Sequence, residues 1–319
     1  MSLLKQYFEG IRFKGRKIYV GTTGAVIDIN STFLKETKAV LKIYTYFKSL
    51  QFKHVFRKSD AIKTLAFYPQ IPGPWFNIWQ VSRLGGLKTV SDLEKADIIF
   101  AFEDSTETKF DPEFLAGHNK PVINHNIKNI SKEHVADVFQ ETFGYSLRID
   151  PTTHIGLAIR KSDANGTHDG VVIQCPIDKS ELIEGQSYQH LVDSTFNGKT
   201  SEDLRVAYAM GELALIYHKH KPLDNRFGTH YLSVDVYEPE DVFSNEEINL
   251  IKSFCQKMHL DFGAIDVMRD KNNGLIYIVD VNKTCMPVLS LPLKTQIECQ
   301  QKIADALMKG LENIQTFKT

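Results

Sequence analysis

The sequence predicts an α/β N-terminal domain followed by an α+β domain, and three features of the chain lead to this prediction. In the first third, short apolar strand patterns alternate with helical stretches, which is typical of a partly parallel sheet. Beyond about residue 130, strand patterns follow one another closely between fewer helices. Near the C-terminus, two apolar runs in residues 261–282 are separated by Asp-Lys-Asn-Asn-Gly, which predicts a β-hairpin because Asn-Gly favours a tight turn.

Length and composition limit the classes of function. The chain has 319 residues, enough for about two domains. Its 38 Lys and Arg nearly balance 39 Asp and Glu, which excludes a general electrostatic attraction to nucleic acid or membranes. No window approaches the ~20 apolar residues of a membrane span. With no signal-peptide pattern and four cysteines without CxxC spacing, we expect a cytoplasmic protein with neither nucleic-acid nor membrane partners.

The N-terminal elements follow from periodicity and turn residues. Residues 17–21 form a strand pattern that enters a Thr-Thr-Gly turn, and residues 31–50 have helical periodicity. Residues 97–102 and 121–124 are apolar runs that end in polar residues, as buried strands do. The Pro-rich aromatic segment 69–79 contains both tryptophans and is not an ordinary helix. A packed loop is favoured there over the wall of a substrate site.

The second part of the chain begins with a helix. Ser131 is a suitable N-cap for a helix over Lys132–Phe143 that ends at Gly144, so we expect domains at 1–128 and 129–319. Further strands are predicted at 155–160, 171–175, 187–192, 204–209 and 212–218, and helices at 245–258 and 294–313.

The predicted hairpin has the composition of a metal site. If its turn centres on Asn273, Asp266 lies opposite Asp280 and Val267 opposite Val279, with Asn282 on the face of Asp280. Opposed like charges destabilise a sheet, so two carboxylates and an amide on one face favour a bound cation. Oxygen ligands alone indicate Mg²⁺ or Mn²⁺. The alternative is a solvated hairpin edge with incidental acids.

Two segments upstream have features of a nucleotide site. Lys161 precedes a polar loop over residues 162–170, whose backbone N–H groups and lysine would suit phosphates, although a lysine before a polar loop is common. Residues 188–192 form a strand whose backbone would suit an adenine, with Asp193 placed for ribose hydroxyls. The alternative is an ordinary strand that ends in a surface acid.

Two further segments concentrate charge. Asp203 and Arg205 share a strand face, where the acid is expected to orient the base. Residues 218–226 contain two histidines among several lysine and arginine side chains. This basic run indicates either an anion site or a solvated turn.

Taken in order, five elements resemble the ATP-grasp superfamily, with the ribosomal-protein glutamate ligase and glutathione synthetase-like branch as the nearest pattern. The resemblance spans about residues 131–290. Its elements are the strand lysine with its loop, the hinge strand Tyr188-Gln189-His190-Leu191-Val192, the strand Asp203-Leu204-Arg205-Val206, the basic segment from Lys219 to Arg226, and the metal motif Gly-x-x-Asp-Val with Asp-x-Asn.

The resemblance implies an ATP-grasp fold in which two α+β subdomains, about 129–192 and 193–319, sandwich the nucleotide behind the N-terminal domain. It implies these roles: Lys161 and Arg226 at the phosphates; Gln189, His190 and Leu191 at the adenine; Asp193 at the ribose; Asp266, Asp280 and Asn282 on Mg²⁺ or Mn²⁺; and Arg205, Lys219 and Arg226 in catalysis.

Three departures from the ligase pattern leave the substrates open. The second acid is Asp280, where ligases usually have Glu, a choice that resembles the inositol-phosphate kinase branch. The residues after Asn282, 283–287, differ from the usual Ser/Pro-x-Pro-Gly, and the loop after Lys161 is poor in glycine. Cys285, His168 and His190 are expected to have structural or surface roles rather than catalytic ones.

The resemblance therefore implies an ADP-forming ligase that joins a carboxylate to an amine-type nucleophile through an acyl phosphate, with ATP and Mg²⁺. A kinase of the same fold and a non-catalytic ATP-binding protein are the alternatives. A homodimer is the default expectation for such an enzyme.

Overall fold

The computed structural model describes residues 11–20, 26–55, 63–228 and 231–316. Contacts divide them into two compact units. The first unit comprises the described residues up to Asn126 together with those from Thr284 onward, and the second unit is Ile127–Lys283. The first break lies close to the expected domain boundary, whereas the residues after Lys283 group with the N-terminal part. The division of 129–319 into two subdomains stays a prediction.

The first unit contains two sheets. Strands β1 (Ile11–Lys14), β2 (Lys17–Val20) and β3 (Val26–Asp28) are antiparallel. The other sheet is parallel, as its alternation with helices predicts, in the order β5-β4-β6-β7, with β4 at Thr64–Pro69, β5 at Lys88–Thr89, β6 at Ile98–Phe102 and β7 at Val122–Ile123. The helices of the first unit are α1 (Ser31–Val55), α2 (Asn77–Leu84), α3 (Pro112–Ala116) and α7 (Leu293–Thr316). The predicted Thr-Thr-Gly turn lies outside the described residues.

The Pro-rich segment is a loop only as far as Phe76, because α2 begins at Asn77. Trp79 is therefore helical and packs in a buried cluster with Ile43 and Phe47. The Arg83 guanidinium lies 3.6 Å from the centre of the Trp79 ring, a cation–π contact one helical turn away. The aromatic residues of this segment thus contribute to packing in the first unit.

The second unit begins with α4 (Lys132–Phe143), whose ends were predicted from single residues. The Ser131 hydroxyl accepts from the backbone N–H of His134, and Gly144 ends the helix at φ 79°, a left-handed conformation that glycine adopts without strain. An antiparallel sheet of order β10-β8-β9 follows, with β8 at Gly156–Ser162, β9 at Val171–Cys175 and β10 at Gln186–His190.

The largest sheet is antiparallel, with strand order β14-β13-β12-β15-β16 and a short β11 beside β12. The strands are β11 (Thr195–Phe196), β12 (Thr200–Ala209), β13 (Glu212–Pro222), β14 (Ser233–Tyr237), β15 (Phe262–Arg269) and β16 (Ile276–Asn282). Helices α5 (Pro239–Val242) and α6 (Asn245–Lys257) lie between β14 and β15 in sequence.

Burial distinguishes the two faces of this sheet. Leu204, Val206 and Ile216 belong to a core with Phe139 of α4 and Phe254 of α6. Because side chains alternate along a strand, the residues between them point to the opposite face. That face, which we call the polar face, carries the predicted charged site residues of β12, β13, β15 and β16. Among the described residues, no helix is long and apolar enough to cross a membrane.

Candidate active site

The hairpin of β15 and β16 brings the three predicted metal ligands together. Asp266 pairs with Asp280 across the ladder, as the position of the turn predicts. Asn282 donates from Nδ2 to Asp266 Oδ2 over 3.2 Å, an orientation that leaves the Asn282 carbonyl oxygen available as a ligand. The predicted pairing of Val267 with Val279 is wrong, because the register shifts after Asp266 and places Val267 opposite Ile278.

Asp266 is held by cations of the neighbouring strands. Arg205 lies opposite it on β12 and donates from Nε to Oδ1 over 2.7 Å and from the terminal nitrogen to Oδ2 over 2.8 Å. Lys219 Nζ is 3.9 Å from the same carboxylate. Burial would raise the pKa of Asp266, but the charges of Arg205 and Lys219 and the arginine hydrogen bonds lower it further than burial raises it. Asp266 is therefore ionised and fixed in place.

Asp280 has the opposite surroundings. It forms no ion pair with any described residue, and burial together with the charge of Asp266 raises its pKa to about 6. Lys132 and Lys161 oppose this rise without forming an ion pair with Asp280, so the Asp280 carboxylate is less tightly held than that of Asp266. This donor set of carboxylate and amide oxygens suits a hard divalent cation such as Mg²⁺.

The expected pairing of Asp203 with Arg205 is wrong. Asp203 instead lies 3.0 Å from Lys221 Nζ and 3.8 Å from Lys219 Nζ, because β13 is its neighbour and Asp203 faces Lys219 across that ladder. Burial, followed by the charge of Arg205, lowers the pKa of Lys219. Lys221 is thus a site residue that sequence reasoning missed, although its spacing of two from Lys219 places it on the same face.

Lys161 lies beside the hairpin. Its Nζ donates to the Val279 carbonyl over 3.3 Å, and burial lowers its pKa to about 8 against the opposing charge of Asp280. Lys132 at the start of α4 adds positive charge to both Lys161 and Asp280. Sequence reasoning missed this role for Lys132, because about 150 residues separate it from the hairpin and its helical position gives no signal.

The loop after Lys161 lies over the polar face. Asn165 Nδ2 donates to the Val281 carbonyl over 3.3 Å. Burial and the charges of Lys221 and Arg205 lower the pKa of His168, so the imidazole is close to these cations. The Asp169 carboxylate accepts from the Ser162 backbone and hydroxyl. Hydrogen bonds therefore order a loop that can restrict the access of water to the polar face.

A cavity of about 380 Å³ lies at the end of the hinge strand. Its lining joins the predicted Leu191, Asp193 and Arg226 with residues that the sequence did not indicate, namely Leu157, Thr195, Leu223 and Asn272. Arg226 donates from a terminal nitrogen to the Val192 carbonyl over 2.9 Å, while its buried Nε has no hydrogen-bond partner among the described residues. The cavity has apolar walls and a few charged groups, as small-molecule sites do.

The other hinge residues lie outside this lining. Gln189 is buried, with its Nε2 donating to the Ser187 hydroxyl over 3.3 Å. The His190 backbone N–H donates to the Leu147 carbonyl over 2.9 Å, so it is not available to a base. Leu191 N–H donates to no described residue. The hinge thus offers a base its Leu191 amide rather than that of His190.

The other residues that the sequence singled out lie on different faces of the large sheet or in the first unit. Lys219 and Lys221 lie on the polar face with Arg205 and Asp266, whereas His218 and His220 alternate with them and face the other way. Cys285 belongs to the first unit, where its Sγ accepts from Asn77 Nδ2 over 3.2 Å. The Cys285 side chain is buried, and its expected structural role stays a prediction.

Comparisons with known proteins support the fold. No family model matches the chain, and no curated protein sequence matches it significantly. Among solved structures, the ATP-grasp ligase PsnB with a minimal precursor matches at a TM-score of 0.50 and 11% identity, covering 79% of this chain and 99% of that one.

Two other solved structures match less well. D-alanine–D-alanine ligase from Bacillus anthracis matches at a TM-score of 0.47 and 11% sequence identity, and the match covers 81% of this chain and 100% of that one. Macrocyclase MdnC from Microcystis aeruginosa matches at a TM-score of 0.45 and 12% sequence identity, and the match covers 76% of this chain and 98% of that one.

The ordered motifs, the hairpin geometry and the PsnB likeness agree on one architecture. The predicted resemblance is confirmed at the level of the fold: the chain has the fold of the ATP-grasp ligase PsnB.

Proposed function

We propose that this protein is an ATP- and Mg²⁺-dependent ligase that joins a carboxylate to an amine-type nucleophile through an acyl phosphate, releasing ADP and phosphate. The observation that supports this most directly is the polar face of the large sheet. There, Asp266, Asp280 and Asn282 provide oxygen ligands next to Arg205 and Lys219, all within one compact unit. Such an arrangement suits phosphoryl transfer, which depends on positioning and charge neutralisation more than on a general base.

Mg²⁺ bound by Asp266, Asp280 and Asn282 would supply Lewis-acid stabilisation of phosphate charge. Asp266 is already fixed by Arg205, so it would position the ion. Asp280, which forms no ion pair with a described residue, would contribute a carboxylate that protein side chains hold less tightly. Asn282 would complete the set with its amide oxygen.

The cavity is the proposed site of the nucleoside. Leu191 would offer its backbone N–H to the adenine beside the apolar wall of Leu157 and Leu223. Asp193 would accept from the ribose hydroxyls, although Lys271 lies 2.9 Å from it and would have to shift. Arg226 and Lys161 would meet the phosphates between the cavity and the hairpin.

Lys219 and Arg205 are the proposed residues for the reacting groups. Lys219 is buried between Asp203 and Asp266, so its position is set before any substrate arrives. A fixed cation at this point would stabilise the charge that develops while the substrate carboxylate attacks the γ-phosphorus. The loop over residues 163–170 would limit loss of the acyl phosphate to water before the amine attacks.

The substrate class is tested by product analysis. PsnB and MdnC were solved with a precursor and a precursor peptide, so peptides with Asp or Glu side chains belong in the test set beside free amino acids. The protein is incubated with ATP, Mg²⁺ and each pool, and ADP release and product mass are followed. A condensed product supports the ligase, and a phosphorylated hydroxyl supports the kinase instead. ATP binding without ADP release in any pool would contradict both enzyme assignments.

The exposed Glu184 provides a matched control for this assay. Asp280→Ala should abolish ADP release, while Glu184→Ala should not. A cytoplasmic location and a homodimer stay predictions, which cell fractionation and light scattering would test.

A further inference from the structure

The side of the large sheet opposite the polar face carries a second group of potential metal ligands. Along β13, His218 and His220 alternate with Lys219 and Lys221, so the two imidazoles point away from the lysines of the polar face. Across the ladders, His220 pairs with Glu202 of β12, and His218 pairs with Asp235 of β14. One face of three neighbouring strands therefore presents two histidines and two carboxylates.

These side chains are close enough to share an ion. Nitrogen and oxygen atoms of Glu202, His218 and His220 lie within 4.8 Å of one another. His218 Nε2 is 3.1 Å from Glu202 Oε1, and His220 Nε2 is 3.9 Å from Asp235 Oδ2. The imidazole centres are 4.4 Å apart. In a tetrahedral Zn²⁺ site, metal–ligand bonds of about 2.0–2.1 Å place ligand atoms about 3.3 Å apart. The His218–Glu202 pair already has this spacing.

The cluster is also partly shielded and incompletely satisfied. The side chains of Glu202, His218 and His220 are 27%, 17% and 12% exposed. His218 Nε2 is buried, and its contact with Glu202 does not have the geometry of a hydrogen bond. Phe196 and Tyr237 pack against the two rings.

We propose that Glu202, His218 and His220 bind a borderline divalent transition metal such as Zn²⁺, with Asp235 within reach as a fourth ligand. Imidazole nitrogens favour such ions over Mg²⁺, whereas the oxygen ligands of the hairpin favour the reverse. The two sites thus differ in chemistry and lie on opposite faces of one sheet. A metal here joins β12, β13 and β14, so it stabilises the folded chain by mass action. This inference does not depend on the proposed ligase activity.

Co²⁺ is a suitable probe, because the intensity of its visible absorbance reports tetrahedral coordination and the histidine variants then identify the ligands. The full chain, stripped with a chelator, is titrated with Co²⁺ in excess Mg²⁺, and then with Zn²⁺ to displace the signal. We expect one Co²⁺ per chain, loss of absorbance on Zn²⁺ addition and a higher Tm with Zn²⁺. His218→Gln and His220→Gln should each weaken binding at least about tenfold. The signal should persist in Asp280→Ala, which removes the oxygen site.

The control is a histidine–carboxylate pair elsewhere. His118 Nδ1 lies 2.7 Å from Glu94 Oε1, so His118→Gln removes a comparable pair and should leave Co²⁺ binding unchanged. Circular dichroism checks that each variant is folded; if both histidine variants unfold, Glu202→Gln, near the start of β12, decides. Absence of stoichiometric Co²⁺ absorbance in the wild-type chain, or binding of Co²⁺ by the Glu202 and histidine variants as tightly as by the wild type, would overturn the proposal.

Discussion

The two strands of the β15–β16 hairpin place the same acidic residue in opposite electrostatic surroundings. Asp266 on β15 accepts two hydrogen bonds from Arg205 and lies near Lys219, and its pKa is lowered. Asp280 on β16 faces it without an ion pair to any described residue, and its pKa is raised to about 6. The comparison indicates that one of the two proposed ligands is part of the framework of the sheet, while the other would lower the stability of the sheet in the absence of a bound cation.

The largest expected effect is on turnover in Asp280→Ala. Loss of this ligand should reduce ATP turnover by about 10²-fold or more, because a metal ion contributes several kcal/mol to phosphoryl transfer. The Tm without added metal should stay the same or rise, because the substitution removes half of a repulsive pair. Turnover is measured as ADP release, and Tm by differential scanning fluorimetry, with Glu184→Ala as the control. Retained Mg²⁺-dependent turnover would show that Asp280 is not a ligand.

Arg205→Met tests whether the ion pair with Asp266 stabilises the framework of the sheet. It leaves the Asp266 charge without its bidentate partner, and breaking such a pair costs about 2–3 kcal/mol after allowance for its partial exposure. Urea unfolding at neutral pH measures this cost. Arg160→Met is the control, since Arg160 forms no ion pair with a described residue. The double variant Arg205→Met/Asp266→Asn should recover part of the loss. If Arg205→Met alone leaves the unfolding midpoint unchanged, Asp266 has no framework role.

The hairpin also illustrates which parts of the site sequence can predict. A turn at Asn-Gly and a period of two were enough to pair Asp266 with Asp280, because both rules are local. They did not reveal the bulge that moves Val267 opposite Ile278, since a bulge depends on packing against β12 and on the core.

Pairing between distant strands was harder to predict. Asp203 was assigned to Arg205 because the two residues share one face of a strand, yet each is bound by a neighbouring strand, β13 for Asp203 and β15 for Arg205. Strand order is set by the whole sheet, and no local pattern encodes it. The helix boundaries at Ser131 and Gly144 were accurate because capping is a local interaction.

Arg226→Met separates the nucleotide end of the site from its metal end. The guanidinium borders the cavity and has an unpartnered buried Nε, so its loss should weaken ATP binding about tenfold, as expected for a hydrogen bond to a charged group. Calorimetry gives the Kd, and urea unfolding should show little change. Lys199→Met, an exposed cation of the same unit, is the control. Equal ATP affinity in wild type and Arg226→Met would remove Arg226 from the site.

The smallest expected effect concerns Asp193, which is paired like Asp266 but is more exposed. Burial would raise its pKa, but hydrogen bonds from Thr195 and Lys271 lower it to about 2. The unfolded carboxyl titrates near pH 3.9, so the pairing stabilises the fold fully above about pH 5. That stability is lost as the pH falls from about 4 towards 2.

Asp193 and Lys271 are 30% and 50% exposed, so solvent screening should limit this contribution to less than about 1 kcal/mol. Urea unfolding at pH 7 and pH 3 should therefore show a slightly smaller acid-induced loss in Asp193→Asn than in the wild type, and 1 M salt should remove the difference. Glu184→Gln should behave as the wild type. If Asp193→Asn instead lowers the free energy of unfolding as much as Arg205→Met does, pairing rather than burial determines how much these ion pairs stabilise the fold. The contrast between β15 and β16 would then need another cause.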